Sequence, residues 1–277
     1  MRYRDFLQKG LELSDVDRRI LPSGFHIVGH VALLDLKKET MKYSDKIGKL
    51  TIDFDKRIKS VALKTGPTKD DERIPQYTLI AGDKVTETIH IENNVRFKLD
   101  PLKVTFSGGN KRERIELATR VISGEHVIDM FACVGQFALH IAKNANASVF
   151  AIEINPVAFQ YLKVNISLNG LDDRVQAVNG DCREIKPHRK ADRIVMGYLQ
   201  DTLAYLPYAL DMLKQDGGII HMHLAGLEEN LKEYCNTANT ICDVGNRVLD
   251  EIKIRKVKSY APKIGHFVFD MSIKNRS

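Results

Sequence analysis

Three acidic side chains stand where successive apolar runs end. Asp129, in the apolar strand HVIDMF, opens the constellation Asp129-Met130-Phe131-Ala132-Cys133-Val134-Gly135-Gln136-Phe137, a small-residue turn leading into a helix. Gly135 permits a ligand to approach the backbone closely, and a helix start beyond it offers unpaired N–H donors. Glu153 closes the run SVFAIE about twenty residues after that turn, where a carboxylate can accept from both hydroxyls of a ribose. Asp181, in Gly180-Asp181-Cys182, follows a third run and can accept from an adenine amino group, with a neighbouring backbone N–H completing the base contact. No G-x-G-x-x-G is present to hold a pyrophosphate, and Asp129 would repel one. The same carboxylate suits an ammonium group. An adenosine joined to an amino acid satisfies all three positions, and S-adenosylmethionine is such a molecule.

These residues require strands that end at one edge of a sheet. After Val104 the chain reads as helix 111–122, strand 126–131, turn and helix, strand 148–154, and a helix opened by Asn155-Pro156 and closed by Gly170. VQAVNGDC, ADRIVMGY and IIHMHL supply three more strands, with helices after the second and third. EIKIRKVKSYAP and HFVFDMSIK form a closing antiparallel pair. Strands alternating with helices imply βαβ units and a largely parallel sheet, made mixed by that pair. The region before residue 100 has another rhythm: a charged helix within 1–20, a strand at 27–36, a helix from Glu39 to about Ile52, and strands at 60–65, 77–82 and 86–100. We therefore expect a small basic α+β domain over 1–100 and a Rossmann-like domain over 101–277.

Charge separates the two parts. The 277 residues carry 42 basic and 36 acidic side chains; residues 1–120 hold 24 and 18 of them, and the remainder is balanced. All of the net +6 thus lies early in the chain, which permits a polyanionic partner. The 43% hydrophobic content excludes disorder, and no run approaches the ~18 apolar residues of a membrane span. The start MRYRDFLQKG lacks the apolar stretch of a signal peptide. Cys133, Cys182, Cys235 and Cys242 show no zinc spacing and read as reduced intracellular thiols, in a cytoplasmic protein. His221 and His223 share a strand face but have no third ligand at a convincing spacing, so we expect no metal.

The combination LDPLKVTFSGGNKRER, VIDMFACVGQF, AIEINPVAFQYLKVNISLNG, NGDCRE and DRIVMGYLQDTLAYLPYAL resembles the tRNA-modifying enzymes with class I S-adenosylmethionine-dependent methyltransferase folds. That family includes guanosine-37 N1-methyltransferases, and the likeness covers residues 60–277. Its methyltransferases carry an Asn-Leu-Pro type motif after the fourth strand, whereas this chain has Met196-Gly197-Tyr198-Leu199. Without that Asn the segment is similar to the archaeal wybutosine-pathway branch, which transfers a 3-amino-3-carboxypropyl group to 4-demethylwyosine at position 37 of tRNA(Phe). The resemblance assigns Ser107, Arg114, Glu153, Asp181 and Cys182 to the cofactor, beside Asp129, Phe131, Gly135 and Met196. It also matches Glu113 to a proton acceptor of methyltransferase relatives. Arg114 can pair with the methionyl carboxylate.

Methyl and aminocarboxypropyl transfer differ only in which carbon on the sulfonium is presented to the nucleophile. Physical reading leaves both open; the resemblance favours the second. Tyr198, at the end of the fourth strand, is expected to line the base pocket or to pack beneath the cofactor. Lys111 and Arg112 read equally as a solvated helix face or as contacts to tRNA backbone, and Lys56 and Arg57 are further phosphate candidates. The expected partner is the tRNA(Phe) anticodon loop, with no obligate protein partner evident. A tRNA-binding protein with a degenerate cofactor fold is the non-catalytic alternative; the three retained acids argue against it.

Overall fold

The computed structural model describes residues 1–276. The chain divides into two compact units, Met1–Gly109 and Asn110–Ser277, nine residues later than the seam expected at Asp100–Pro101. The difference arises because Pro101 does not end the first unit. Val104 and Phe106 are buried, and the Phe106 ring packs on His90 and Phe97 of that unit at 5.0 and 5.4 Å.

The first unit opens with two short helices, α1 (Tyr3–Gly10) and α2 (Asp15–Ile20), where a single helix was expected. Ser14 breaks the run by capping α2, its hydroxyl accepting from the Asp17 N–H at 3.2 Å. The expected strand 27–36 is a hairpin, β1 (His26–Val28) and β2 (Val31–Leu34), turned at Gly29 with φ +57°. Helix α3 (Ser44–Phe54), preceded by the 3-10 helix Lys38–Tyr43, leads to β3 (Ser60–Lys64), which pairs parallel with β2. Strand β4 (Tyr77–Gly82) closes a four-stranded sheet of order β1-β2-β3-β4. Tyr3, Leu7, Leu34, Ile47 and Val61 fill its core.

The expected strand 86–100 is a second hairpin, β5 (Thr88–Glu92) and β6 (Val95–Leu99). Asn93 and Asn94 turn it, both at positive φ, as a two-residue hairpin loop requires. Its polar alternate set faces inward. The Thr88 hydroxyl accepts from the His30 N–H at 3.2 Å, and the His90 ring accepts from the Gly29 N–H at 3.1 Å. Ile89 and Ile91 are left 49% and 60% exposed.

The second unit begins with α4 (Lys111–Arg120), then β7 (His126–Asp129), α5 (Ala138–Asn144), β8 (Ser148–Glu153), α6 (Pro156–Leu168) and β9 (Val175–Asn179). There follow β10 (Arg193–Met196), α7 (Leu206–Met212), β11 (Gly217–Leu227), α8 (Leu231–Val244), β12 (Arg247–Ala261) and β13 (Ile264–Asn275). One seven-stranded sheet has the order β12-β13-β11-β10-β7-β8-β9. Strands β7 to β11 pair in parallel, and β13 is antiparallel to both of its neighbours. This is the Rossmann-like arrangement of the class I methyltransferase fold. Its order reverses between β7 and β10, and open α/β sheets bind ligands outside the carboxyl ends of strands at such a switch point. Ile128, Ile152, Ile194, Ile220 and Phe269 hold the sheet in the core. Asn155 starts α6 as read, its side chain accepting from the Val157 and Ala158 N–H groups at 2.8 and 3.1 Å.

Candidate functional site

The turn after β7 is built by carboxylates rather than merely lined by them. Asp129 is fully buried and accepts from the Phe131 N–H on one oxygen and the Ala138 N–H on the other, each at 3.2 Å. Burial lifts its carboxyl to about 7, and the Glu153 charge pushes the same way. Its side chain thus ties the strand end to the first residue of α5. Gly135 sits at φ +95°, and a Cβ there would lie 2.6 Å from Leu139 Cγ, so only glycine fits this turn.

Glu153 reaches across from β8. Its Oε2 accepts from the Cys133 N–H at 2.6 Å and its Oε1 from the Asn155 N–H at 2.8 Å. Cys133 holds φ +51°, which directs that N–H at the carboxylate. Two backbone donors fix the plane of a group able to accept from more than two partners. Burial first, then the Glu153 charge, push the Cys133 thiol up to about 12. Burial does the same to Cys182. Neither sulfur is a nucleophile near neutrality.

Asp181 follows β9 and is engaged by Arg183. The Arg183 Nε lies 3.0 Å from each carboxylate oxygen, and its backbone N–H donates to Oδ1 at 2.8 Å. The guanidinium holds this carboxyl below its ordinary range. Arg183 in turn lies 5.4 Å from the Tyr205 ring centre. Tyr205 completes an aromatic group at the switch point. Phe131 stacks on Tyr198 with ring centres 5.2 Å apart and planes at 20°, and Tyr205 meets their edges at 5.1 and 5.8 Å. Sequence reasoning missed Tyr205, which lies seven positions past Tyr198 in the segment TLAYLPY.

Other expected residues fall elsewhere. The Met196 side chain is fully buried in the sheet core, so it offers the crevice no more than its backbone. Arg114 is fully buried, and its Nη1 donates to Gln136 of the turn at 3.0 Å. Both Glu113 oxygens accept from Arg255 of β12, each at 2.6 Å, so a proton-accepting role would first require breaking that bidentate pair. Ser107 belongs to the first unit, just before the 3-10 turn Gly108–Asn110. Lys111 and Arg112 are exposed on the first turn of α4, with Arg112 3.6 Å from Glu116. Lys56 lies 3.3 Å from Asp53, and the Arg57 Nε lies 3.0 Å from Asp55.

His221 and His223 have structural partners. His221 bonds to Asp270 and to the Arg193 guanidinium, which itself holds Glu125 at 2.6 Å. His223 Nδ1 and His266 Nε2 are 2.9 Å apart and both rings are buried. Among the described residues, no group of three or more His, Cys, Asp or Glu is placed to hold a metal. Nor is any helix long and apolar enough to cross a membrane.

The profile of the TRM5/TYW2 methyltransferase domain matches residues 88–249, and that of the TYW2 N-terminal domain matches residues 3–86. The tRNA(Phe) (4-demethylwyosine(37)-C(7)) aminocarboxypropyltransferase of Pyrococcus horikoshii is 36% identical over 273 residues, covering 98% of this chain and 96% of the relative. The tRNA (guanine(37)-N(1))-methyltransferase Trm5b of Pyrococcus abyssi is 35% identical over 280 residues, covering 98% and 80%. The crystal structure of P. horikoshii TYW2 in complex with MeSAdo superposes with a TM-score of 0.84 at 34% identity, covering 99% of this chain and 98% of that one.

Proposed function

Because the chain belongs to the TRM5/TYW2 methyltransferase family, we propose that it transfers the 3-amino-3-carboxypropyl group of S-adenosylmethionine to C7 of 4-demethylwyosine at position 37 of tRNA(Phe). The observation that carries the choice of branch is the match of residues 3–86 to the TYW2 N-terminal domain. Position 197 agrees with it. The segment Met196-Gly197-Tyr198-Leu199 lacks the Asn of the Asn-Leu-Pro type motif of methyltransferase relatives, and a Cβ at Gly197 would lie 3.2 Å from the Phe137 ring.

S-adenosylmethionine fits the crevice on its donor set: an anchored carboxylate for ribose hydroxyls, a glycine turn, an aromatic group and a buried guanidinium. When bound, it supplies a γ-carbon activated by the sulfonium; C7 forms a bond to that carbon, the C–S bond breaks with its electron pair going to 5′-methylthioadenosine, and C7 loses its proton. Glu153 orients the ribose, with the Cys133 and Asn155 N–H groups holding its carboxylate in place. Asp181 and the Cys182 N–H take the adenine edge once Arg183 yields. Arg114, steadied by Gln136, receives the methionyl carboxylate. Tyr198 offers a face on which a splayed loop base can stack. Lys111, Arg112, Lys56 and Arg57 are assigned to tRNA phosphates, the latter two exchanging aspartate for phosphate. The setting is the cytoplasm, and the contacted region of the tRNA is its anticodon loop.

Precursor-containing tRNA(Phe) incubated with S-adenosylmethionine labelled separately in its methyl and carboxyl groups tests the reading. Carboxyl label should enter the tRNA and 5′-methylthioadenosine should be released. Methyl label in the tRNA, with S-adenosylhomocysteine released, would refute it in favour of guanosine-37 N1-methylation.

A further inference from the structure

Strand β12 contains an irregularity with a chemical consequence. Lys256 pairs with Phe267 and Lys258 with His266, so Val257 is an extra residue in the ladder. Such a bulge re-aims the side chains that follow it. In a regular strand Arg255 and Val257 would share a face; here Lys258 takes the place of Val257 on the face of Arg255. That face is the one covered by α4, because Arg255 carries the bidentate bond to Glu113 on the first turn of that helix. Arg114 is the next residue of α4.

The register places this group at the ligand-binding end of the sheet. Strand β10 ends at Met196, level with Met222 of β11. Three residues further along β11, Ala225 pairs with His266, which pairs with Lys258. Helix α4 runs with its start toward that end: Glu113 meets Arg255, while Arg120, at the other end, meets Asp270 at 2.9 Å.

Lys258 is half-buried, and among the described residues it makes no ion pair or side-chain hydrogen bond. Its neighbours are of the wrong sign. Burial and the like charge of Arg114 both lower its pKa, and Lys258 itself disfavours a charge on His266. The nearby carboxylate, Glu113, already spends both oxygens on Arg255. Lys258 is thus a half-buried ammonium near the Arg114 guanidinium with no ion pair of its own among the described residues, an arrangement of the kind found where a ligand supplies the missing charge.

We propose that Lys258, turned inward by the bulge at Val257, is the second cation of a carboxylate subsite whose first is Arg114, and that the subsite takes the α-carboxylate of the cofactor's methionyl arm. The inference rests on the proposed function and deepens it. A carboxylate, rather than an RNA phosphate, is the matching anion because Arg114 is fully buried and bonded to the cofactor turn, out of reach of a polymer backbone. The subsite holds the far end of the chain that is transferred. Two cations on one carboxylate fix the direction of that chain, which determines the carbon offered to the base.

Calorimetric titration of the wild type, Lys258→Met and Lys258→Arg with S-adenosylmethionine and with 5′-methylthioadenosine, which lacks the arm, tests this. Lys258→Met should weaken S-adenosylmethionine binding by about 10-fold or more and leave 5′-methylthioadenosine unchanged. Lys258→Arg should retain most of the affinity. Unliganded Lys258→Met should melt no lower than wild type, since it loses an unpaired cation. Equal weakening toward both ligands, or a lowered melting temperature, overturns the inference in favour of a structural role. Unchanged S-adenosylmethionine affinity with weakened tRNA binding overturns it in favour of a phosphate contact. A wild type that binds neither ligand overturns the cofactor reading itself, and this inference with it.

Discussion

Removing Arg255 tests how the crevice is held together. Its guanidinium meets both Glu113 oxygens at 2.6 Å and Asp270 at 2.9 Å, with side-chain exposures of 25% for Arg255 and 3% for Glu113. Arg255→Met leaves Glu113 as a buried, uncompensated carboxylate, and breaking such a pair from one side costs about 3–5 kcal/mol. Water reaches the quarter-exposed arginine, so the low end applies, about 3 kcal/mol. For a unit of this size that corresponds to a fall in melting temperature of about 6–12 °C. Glu113→Gln still accepts one hydrogen bond and should cost only about 1–2 kcal/mol. The double variant should be more stable than the sum of the singles predicts, by about 1 kcal/mol or more, because the second change removes the charge that the first exposed. Urea unfolding of the four proteins measures the cycle. Strict additivity would show that the pair does not couple α4 to β12. The same set separates positioning from proton acceptance. If Glu113 holds α4, and with it Arg114, then Glu113→Gln and Arg255→Met both weaken cofactor binding. Loss of turnover in Glu113→Gln with cofactor affinity intact would instead assign it the proton.

Asp129 keeps its proton in the folded protein to about pH 7, whereas an unfolded aspartate sheds it near 4. Its contribution to stability is therefore complete below ~4 and lost as pH rises through ~7. Asp129→Asn should flatten the slope of melting temperature over that window, and an unchanged slope would refute the assignment. Glu153→Ala should weaken cofactor binding by ~1–3 kcal/mol in calorimetry, having lost the acceptor that also orients Cys133 and Asn155; equal affinity would remove Glu153 from the site. Tyr198→Leu should lower kcat/KM for tRNA by about 5–150-fold through lost stacking, with cofactor affinity retained. Weakened cofactor binding with an unchanged tRNA dependence would place Tyr198 under the cofactor instead. Gly135→Ala forces a side chain into φ +95° and onto Leu139, and should cost about 1–3 kcal/mol in thermal unfolding.

What was legible in the sequence depended on how local its cause is. Asp129, Glu153 and Asp181 were readable as strand ends because apolar runs, a glycine turn and the Asn155-Pro156 helix start lie within a few positions of them. The hairpins at Gly29 and at Asn93-Asn94 have equally local causes, although 27–36 and 86–100 each look like one continuous strand by composition; a Gly or an Asn-Asn pair inside such a run is itself a turn signal. What each carboxylate is bonded to was another matter. Arg183, two positions from Asp181, was within reach of reading. The Glu113–Arg255 pair spans 142 positions and exists only because α4 lies across a strand that forms at the end of the chain. The charge count conceals this difference. Arg255 and Lys258 lie in EIKIRKVKSYAP, which reads as one strand of the closing antiparallel pair, and the bulge at Val257 is what brings Lys258 to the covered face of Arg255. One of them finds Glu113 there. The other, with no ion pair among the described residues, is the one whose charge a ligand carboxylate would match.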